Sequence, residues 1–493
     1  MIQLSCRNLK GSACMKLTMG TKKKNTISPY LFMQFMEPLG TADSSVDACW
    51  DYAKDKWQDL FLEKIDELRP PMIRFGGCFA SYYHWKEAVG PRNERKWMLN
   101  SSWDGVYSNQ VGTAEVAKLA KRVGAQTLMV VNMESDGRMH WAYPKEGYDR
   151  LGSAREAAEW IDYCNNPDNK LRISHGDTEP YGINYWQIGN ETNYDKRGFN
   201  LEQTVERTLK FAEKMHKADE KIKLICWGDG GWETEMCKNV PDYVPYVSFH
   251  YHIGYYGDEK QTLNNMNYKK DRDETWEMMM SSYKKLDARL DEMKSKVAPY
   301  GKRLAMTEGH YVLKGRNRNE LLSTWACGVA YARCINTLLR YSDILDIATM
   351  ADFCGNRWLV NALMMPTPVV PSSKAYFMPV GTVMKLYSHH LGKYAVDSSS
   401  MNGIDSFVSM SEDGKKLFAY LVNTSKDFGK QVDIDVPDKN IKSVTAYEIA
   451  PNDVFSEVYE NEPDIFNETK KVLGKNSYYL PSGAVSVLEI ELD

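Results

Sequence analysis

Two carboxylates at the ends of two strand-like runs carry the first chemistry that can be read. Ile183-Asn184-Tyr185-Trp186-Gln187-Ile188 is a short β-branched and aromatic run that stops at Gly189 and hands over Asn190 and Glu191. Arg303-Leu304-Ala305-Met306-Thr307 has the same grammar and delivers Glu308 just before Gly309. If both runs are parallel barrel strands, the two glutamates share the carboxyl-terminal rim, where barrels keep their reacting groups. Two facing carboxyl groups are what glycoside hydrolysis requires, with Glu191 as general acid/base and Glu308 as nucleophile of a retaining double displacement. That scheme needs carboxyls roughly 5–5.5 Å apart, whereas about 6.5–9.5 Å would argue inversion. Two charges that close cannot both ionise cheaply, so Glu191 is expected to hold its proton until Glu308 is esterified. Either glutamate alone also reads as a solvated strand end or an ion-pair partner, and only the pairing carries the argument.

Asn190 is placed to donate to a sugar 2-hydroxyl, or simply to cap the strand end. His250 and His252 lie two apart in Tyr246–His252 and so share one strand face, where they could orient Glu308 or touch sugar. A zinc site on the two histidines is the rival, without a third ligand at useful spacing, so no metal is expected. No cofactor is implied either: Gly228-Asp229-Gly230-Gly231 lacks the Lys-Ser/Thr of a phosphate loop. Trp103, Trp186 and Trp232 are candidate stacking platforms that also read as core.

The elements that must hold these groups alternate. Tyr30–Met36 is a near-continuous apolar run, as in a strand covered on both faces. Trp57–Leu68 is an amphipathic helix halted by Pro70-Pro71, and Met72–Phe75 a second strand opening into Gly76-Gly77-Cys78. Thr113 is expected to cap a helix ended by Gly124, and Thr127–Asn132 to be the third strand. Ser153-Ala154-Arg155-Glu156 reads as a capping box before another helix, which leads to the Glu191 strand. Leu201–Ala218 is helical, Lys221–Trp227 and Tyr246–His252 are strands, and one long charged helix is expected over 273–297. After the Glu308 strand, a helix over 320–339 leads to a last strand, Ile344–Met350. That makes eight strands with crossovers, the count of a (β/α)₈ TIM barrel.

Beyond Pro371 the pattern turns to hairpins and period-two alternation. Ser406–Met410, Glu412-Asp413-Gly414 and Leu417–Val422 form one hairpin. The expectation is an antiparallel β-sandwich over 372–493, a catalytic barrel over 28–371, and N-terminal strands in 1–27 (Ile2–Leu4 and Cys14–Leu17) that complete the sandwich.

At 493 residues a large and a smaller domain are expected, and a net charge of −4 offers no basic surface for nucleic acid. The ten cysteines include no Cys-x-x-Cys pair, so reduced thiols are the simplest reading. Met1–Gly20 has no apolar run fit for secretion and no segment could span a bilayer. A cytoplasmic location follows, or a secreted one if a leader has been removed.

The residues resemble glycoside hydrolase family 51, the α-L-arabinofuranosidases, through most of the barrel. Phe35-Met36-Glu37-Pro38-Leu39-Gly40 looks like the family's Phe-x-Glu-His-Leu-Gly segment. Ile73-Arg74-Phe75-Gly76-Gly77-Cys78, with Tyr83-His84-Trp85 and Val89-Gly90-Pro91, looks like its Arg-aromatic-Pro-Gly-Gly loop. Trp103-Asp104-Gly105-Val106, Gly112-Thr113-Ala114-Glu115 and Glu159–Asn165 keep its order. Gly189-Asn190-Glu191 matches the acid/base motif, and Thr307-Glu308 the nucleophile position. The resemblance implies a catalytic barrel with a sandwich, exo-acting α-L-arabinofuranosidase activity on arabinose-containing plant saccharides, a carbohydrate as the sole partner class, and room for a homo-oligomer. It also places Glu37, Arg74 and Cys78 in the sugar-binding subsite. Pro38 stands where the family has His, a Pro is missing before Gly76, and Thr307-Glu308-Gly309 replaces Asp-Glu-Trp. These departures keep a galactofuranoside, a xyloside or a β-glucan as alternative substrates, and a non-catalytic sugar-binding barrel as the alternative class.

Overall fold

The computed structural model describes residues 15–39, 45–103, 105–135, 150–194, 199–255, 257 and 259–493. The Ile2–Leu4 run, Cys6, Cys14, Gly40 and Asp104 lie outside the described residues.

Eight parallel strands follow one another around the larger sheet: β1 (Gln34–Met36), β2 (Met72–Phe75), β3 (Gln126–Val131), β4 (Tyr185–Ile188), β5 (Lys223–Trp227), β6 (Tyr246–Gly254), β7 (Arg303–Val312) and β8 (Leu345–Ala348). Their period of two sorts them into two cores. Leu128, Val130, Tyr185, Ile225, Tyr246, Ala305 and Ile347 meet inside. Phe75, Met129, Val131, Trp186, Ile188, Cys226, Val247 and Met306 face the surrounding helices. The sheet curls until its ends meet: Met33 N–H donates to Ala348 O at 3.0 Å, and the continuation of β8, Asp352–Gly355, pairs with β1 at Phe35. The architecture is TIM-barrel-like, and all eight expected strands are present.

The helices depart from expectation in detail. Gly112, not Thr113, precedes the helix Thr113–Val123, and Glu115 accepts the Gly112 N–H at 2.9 Å. Thr113 is freed for the interior, where its hydroxyl accepts the Trp160 indole N–H. Ser153 caps Ala154–Asn165, but Glu156 turns away to His84, 2.9 Å from Nδ1, so only half of the capping box forms. The long charged helix is two, Arg272–Ser281 and Tyr283–Val297. The break falls at Ser282, whose hydroxyl bonds back to Met279 O and to the Tyr311 hydroxyl. The segment after β7 likewise begins as a 3₁₀ turn, Glu320–Ser323, before the helix Trp325–Arg340.

The C-terminal part holds a six-stranded antiparallel sheet in which the hairpin Ile404–Met410/Lys416–Asn423 lies beside Val485–Leu492. A three-stranded sheet joins Met15–Thr18, parallel, to Lys430–Asp435, with Ser477–Leu480 on the far side. The larger sheet is a middle layer. Val408, Leu417, Leu488 and Ile490 share a core with Leu17, Val432 and Leu480 of the smaller sheet. Phe418, Tyr420, Val485 and Val487 join the barrel's outer core. Both faces being covered explains why Val485–Leu492 is buried at nearly every position.

Candidate active site

The parallel strands point their carboxyl ends the same way, which gathers Glu37, Arg74, Cys78, Asn190, Glu191, His250 and Glu308 at one mouth. Arg74 is fully buried and forks three ways. Its Nε donates to Gln187 Oε1 at 3.3 Å, Nη1 to Glu308 Oε1 at 2.9 Å and Nη2 to Asn190 Oδ1 at 2.6 Å. One planar cation therefore sets the relative positions of two strand ends. The Nδ2 of Asn190 is left buried with no partner among the described residues. A buried donor without a partner is costly unless something arriving in the site accepts from it.

Glu191 and Glu308 meet across His250. The imidazole Nδ1 lies 2.9 Å from Glu191 Oε1 and 3.5 Å from Glu308 Oε2, and Nε2 lies 3.0 Å from Thr307 Oγ1. With two carboxylates facing Nδ1, the single proton of the neutral ring belongs there, and the Thr307 hydroxyl donates to Nε2. Burial holds the ring neutral, lowering its pKa to about 4 against the opposing pull of Glu308. One oxygen of Glu191, one of Glu308 and a nitrogen of His250 all lie within 4.8 Å of one another. Glu308 is pushed above the usual carboxylate range by burial, while His250 and Arg74 oppose that push.

A β-bulge aims the second carboxylate. Phe249 pairs with Met306 but His250 pairs with Glu308, so Thr307 is an extra residue in β7. Ala305 faces the barrel interior; without the bulge Thr307 and Gly309 would follow it inward, and Glu308 would turn to the helices. With it, Thr307 and Glu308 both reach His250. Glu191 needs its own distortion: φ is +75° at Gly189 and +49° at Glu191, a conformation a non-glycine residue seldom adopts.

Glu37 closes one side. Its Oε1 accepts from Trp103 Nε1–H at 3.0 Å and from Phe79 N–H at 3.4 Å, and burial together with Glu308 raises its pKa well above the ordinary value. Gly77 permits this approach, because a Cβ there would lie 2.3 Å from Glu37 Oε2 and φ is +116°. Cys78 Sγ is 3.8 Å from Glu191 Oε2, and burial raises its thiol pKa so that it stays a thiol. All eight cysteines among the described residues are buried and unbridged.

His252 stands apart from the bridge, its ring 4.4 Å from that of His310. The two histidines therefore do not share a ligand set. Among the described residues, the group able to offer ligand atoms to one cation is Glu191, His250 and Glu308, with the Arg74 cation already on Glu308. Trp186 is fully buried against Trp160 in the outer core and is no platform. Trp103 lines the mouth with Trp358, ring to ring at 5.3 Å. Gln187, Asp229, Thr307, His310, Asp352 and Trp358 were not singled out for the site in the sequence. The inward phase of β4 pointed to Gln187, since Tyr185 shares its face, but nothing local marked the others.

Asp352, just past β8, is buried with its Oδ1 4.0 Å from His310 Nε2, and burial pushes its carboxyl from 3.8 up to about 7. The folded chain thus holds this proton more tightly than the unfolded chain does. The resulting stabilisation is present in full below pH 3.8 and is lost as pH climbs through about 7. Asp352→Asn removes that loss. It is expected to raise Tm in thermal melts at pH 8, by up to about 4 kcal/mol of stability, with a smaller gain at pH 5. Equal gains at both values would contradict the assignment.

Residues 64–278 match the family profile described as Alpha-L-arabinofuranosidase 1 domain. An intracellular exo-alpha-(1->5)-L-arabinofuranosidase of Halalkalibacterium halodurans is 33% identical over 219 residues, which cover 41% of this chain and 40% of the relative. A protein of the same description from Acetivibrio thermocellus is 30% identical over 223 residues, 41% of this chain and 40% of its own. The chain thus spans about two fifths of the length of these curated relatives. The structure of an alpha-L-arabinofuranosidase from Thermotoga maritima, an arabinose complex, superposes with a TM-score of 0.78 at 22% identity, over 97% of this chain and 100% of that one. The GH51 enzyme of Thermotoga petrophila RKU-1 gives 0.79 at 22% identity with the same coverage. Residues 64–278 are thus similar to the alpha-L-arabinofuranosidase 1 domain, and the chain shares the fold of these GH51 structures over almost its whole length.

Proposed function

We propose that this protein is a retaining glycoside hydrolase that releases terminal α-L-arabinofuranosyl units from arabinose-containing plant saccharides. The observation that carries the reading is the approach of Glu191 and Glu308, whose carboxylate oxygens come within 4.8 Å at the strand ends. An approach that close suits direct attack by one carboxylate, as in the retaining arrangement. Glu308, its negative charge supported by Arg74, attacks the anomeric carbon while Glu191 protonates the departing oxygen. Glu191 then takes a proton from water, which releases the glycosyl ester. Asn190 Nδ2, buried and without a partner among the described residues, donates to the 2-hydroxyl, and Glu37, Cys78 and His252 face the rest of the ring. His250 keeps the two carboxyl groups in register.

A panel of 4-nitrophenyl glycosides tests the reading. Turnover of the α-L-arabinofuranoside should exceed that of every other glycoside, and NMR of early product should show retained anomeric configuration. Preference for a galactofuranoside, a xyloside or a β-glucan would keep the mechanism and move the substrate. Thr307-Glu308-Gly309, standing where family 51 has Asp-Glu-Trp around the nucleophile, favours testing these. No turnover with any of them would leave a sugar-binding barrel.

The same proposal divides the chain into residues 1–27 and 372–493 for the sandwich and 28–371 for the barrel. No helix among the described residues is long and apolar enough to cross a membrane. A cytoplasmic location, proposed here, accords with relatives described as intracellular.

A further inference from the structure

The Gly228-Asp229-Gly230-Gly231 turn has no part in the reaction above, yet it touches the strand that carries His250. Gly228 N–H donates to Ser248 O at 2.9 Å, the last bond of the β5–β6 ladder. The next donor along β6 is the His250 N–H, at the point where the β7 bulge shifts the register. It is taken by a side chain, with Asp229 Oδ2 accepting at 3.2 Å. The other oxygen, Oδ1, accepts from Gly230 N–H at 2.6 Å and pairs with the Arg289 guanidinium of the helix Tyr283–Val297. Arg289 is anchored in turn. It pairs with Glu292 at 2.6 Å, Glu292 with Lys296 at 2.7 Å, and Lys296 with the buried Glu233 at 2.6 Å.

We propose that Asp229, braced by Arg289, is a positioning residue for the hydrolytic reaction, holding the His250 backbone at the height from which its imidazole spans Glu191 and Glu308. A carboxylate can do this where the turn's own peptide groups cannot. It offers two oxygens to separate donors, and its charge is balanced by an arginine of the helix Tyr283–Val297. Loss of one oxygen lets β6 relax, and His250 then moves relative to both carboxyl groups at once.

The kinetic arm of the test rests on the hydrolase reading, and a second arm does not. Asp229→Asn is nearly isosteric but keeps only one acceptor, so it cannot serve His250 and Arg289 together. On the best glycoside of the panel, kcat should fall about 10- to 100-fold with KM changed less than about twofold, because misplacement of the reacting groups by a fraction of an ångström acts on the chemical step. In a His250→Gln background the same substitution should cost less than about twofold, since a residue acting through His250 has nothing left to position. Arg289→Met, which leaves Asp229 intact but unbraced, serves if Asp229→Asn does not fold, and should show the same split. The nine histidines make a ¹⁵N-histidine-labelled protein tractable. Its His250 amide and ring resonances should move in Asp229→Asn and in Arg289→Met, whether or not the wild type turns anything over. An unchanged kcat, an equal loss in both backgrounds, or unmoved His250 resonances would overturn the proposal. A wild type inactive on the whole panel would instead sink the hydrolase reading and leave the resonances to judge the positioning.

Discussion

Glu308→Gln is expected to lower kcat/KM by a factor on the order of 10⁴ or more, as loss of a nucleophile does when nothing nearby replaces it. The fold should survive. Arg74 has no exposure, so abolishing its pairing with Glu308 outright would strand a buried charge, at a cost of about 3–5 kcal/mol. Glutamine keeps an amide oxygen that can accept from Nη1, and Gln187 and Asn190 still hold the other two corners of the guanidinium. The variant should therefore melt cooperatively within a few degrees of the wild type while turning over no substrate. A mechanism-based inhibitor should esterify the wild-type protein on the peptide containing Glu308 and leave the variant unlabelled. Near-normal turnover by the variant, or a label on another peptide, would reject the nucleophile assignment.

Glu191→Ala should give the second-largest loss, with a dependence on the leaving group that Glu308→Gln lacks. An acid/base contributes about 10²–10⁴-fold where the departing oxygen needs a proton. The full loss is therefore expected on an oligosaccharide, and a much smaller one in the first step on a 4-nitrophenyl glycoside, whose phenolate leaves unaided. Hydrolysis of the glycosyl ester should then limit turnover and produce a burst of nitrophenol. Added azide, a nucleophile that requires no general base, should restore turnover and yield the glycosyl azide with retained configuration. Equal losses on both substrates, without rescue, would mean that Glu191 holds the site together and transfers no proton.

Both predictions concern residues that a linear reading can find, and the reason lies in how barrel strands are written. A strand buried on both faces must be almost wholly apolar, so a carboxylate at its end stands out against Tyr185–Ile188 or Arg303–Met306. Eight such runs separated by helical periodicity leave few architectures, and the curled sheet contains all eight. Asn190, Glu191, His250 and Glu308 could be named from that grammar, and Glu37, Arg74 and Cys78 from a resemblance.

What the chain did not reveal are relations between strands. The extra residue at Thr307 looks like any other strand position until Phe249–His250 is laid beside it, and only then is Glu308 seen to turn inward. The break at Ser282 requires the Tyr311 hydroxyl from β7, and the diversion of Glu156 requires His84. Asp352 and Asp229 look like surface acids in the sequence, and burial at the mouth gives each a different task. Composition and periodicity determined which segments become strands and which strand ends carry acids, because local burial demands act within a few residues. Register, side-chain direction and the partner of each buried charge were decided by tertiary structure, because those energies exist only between segments that the fold brings together.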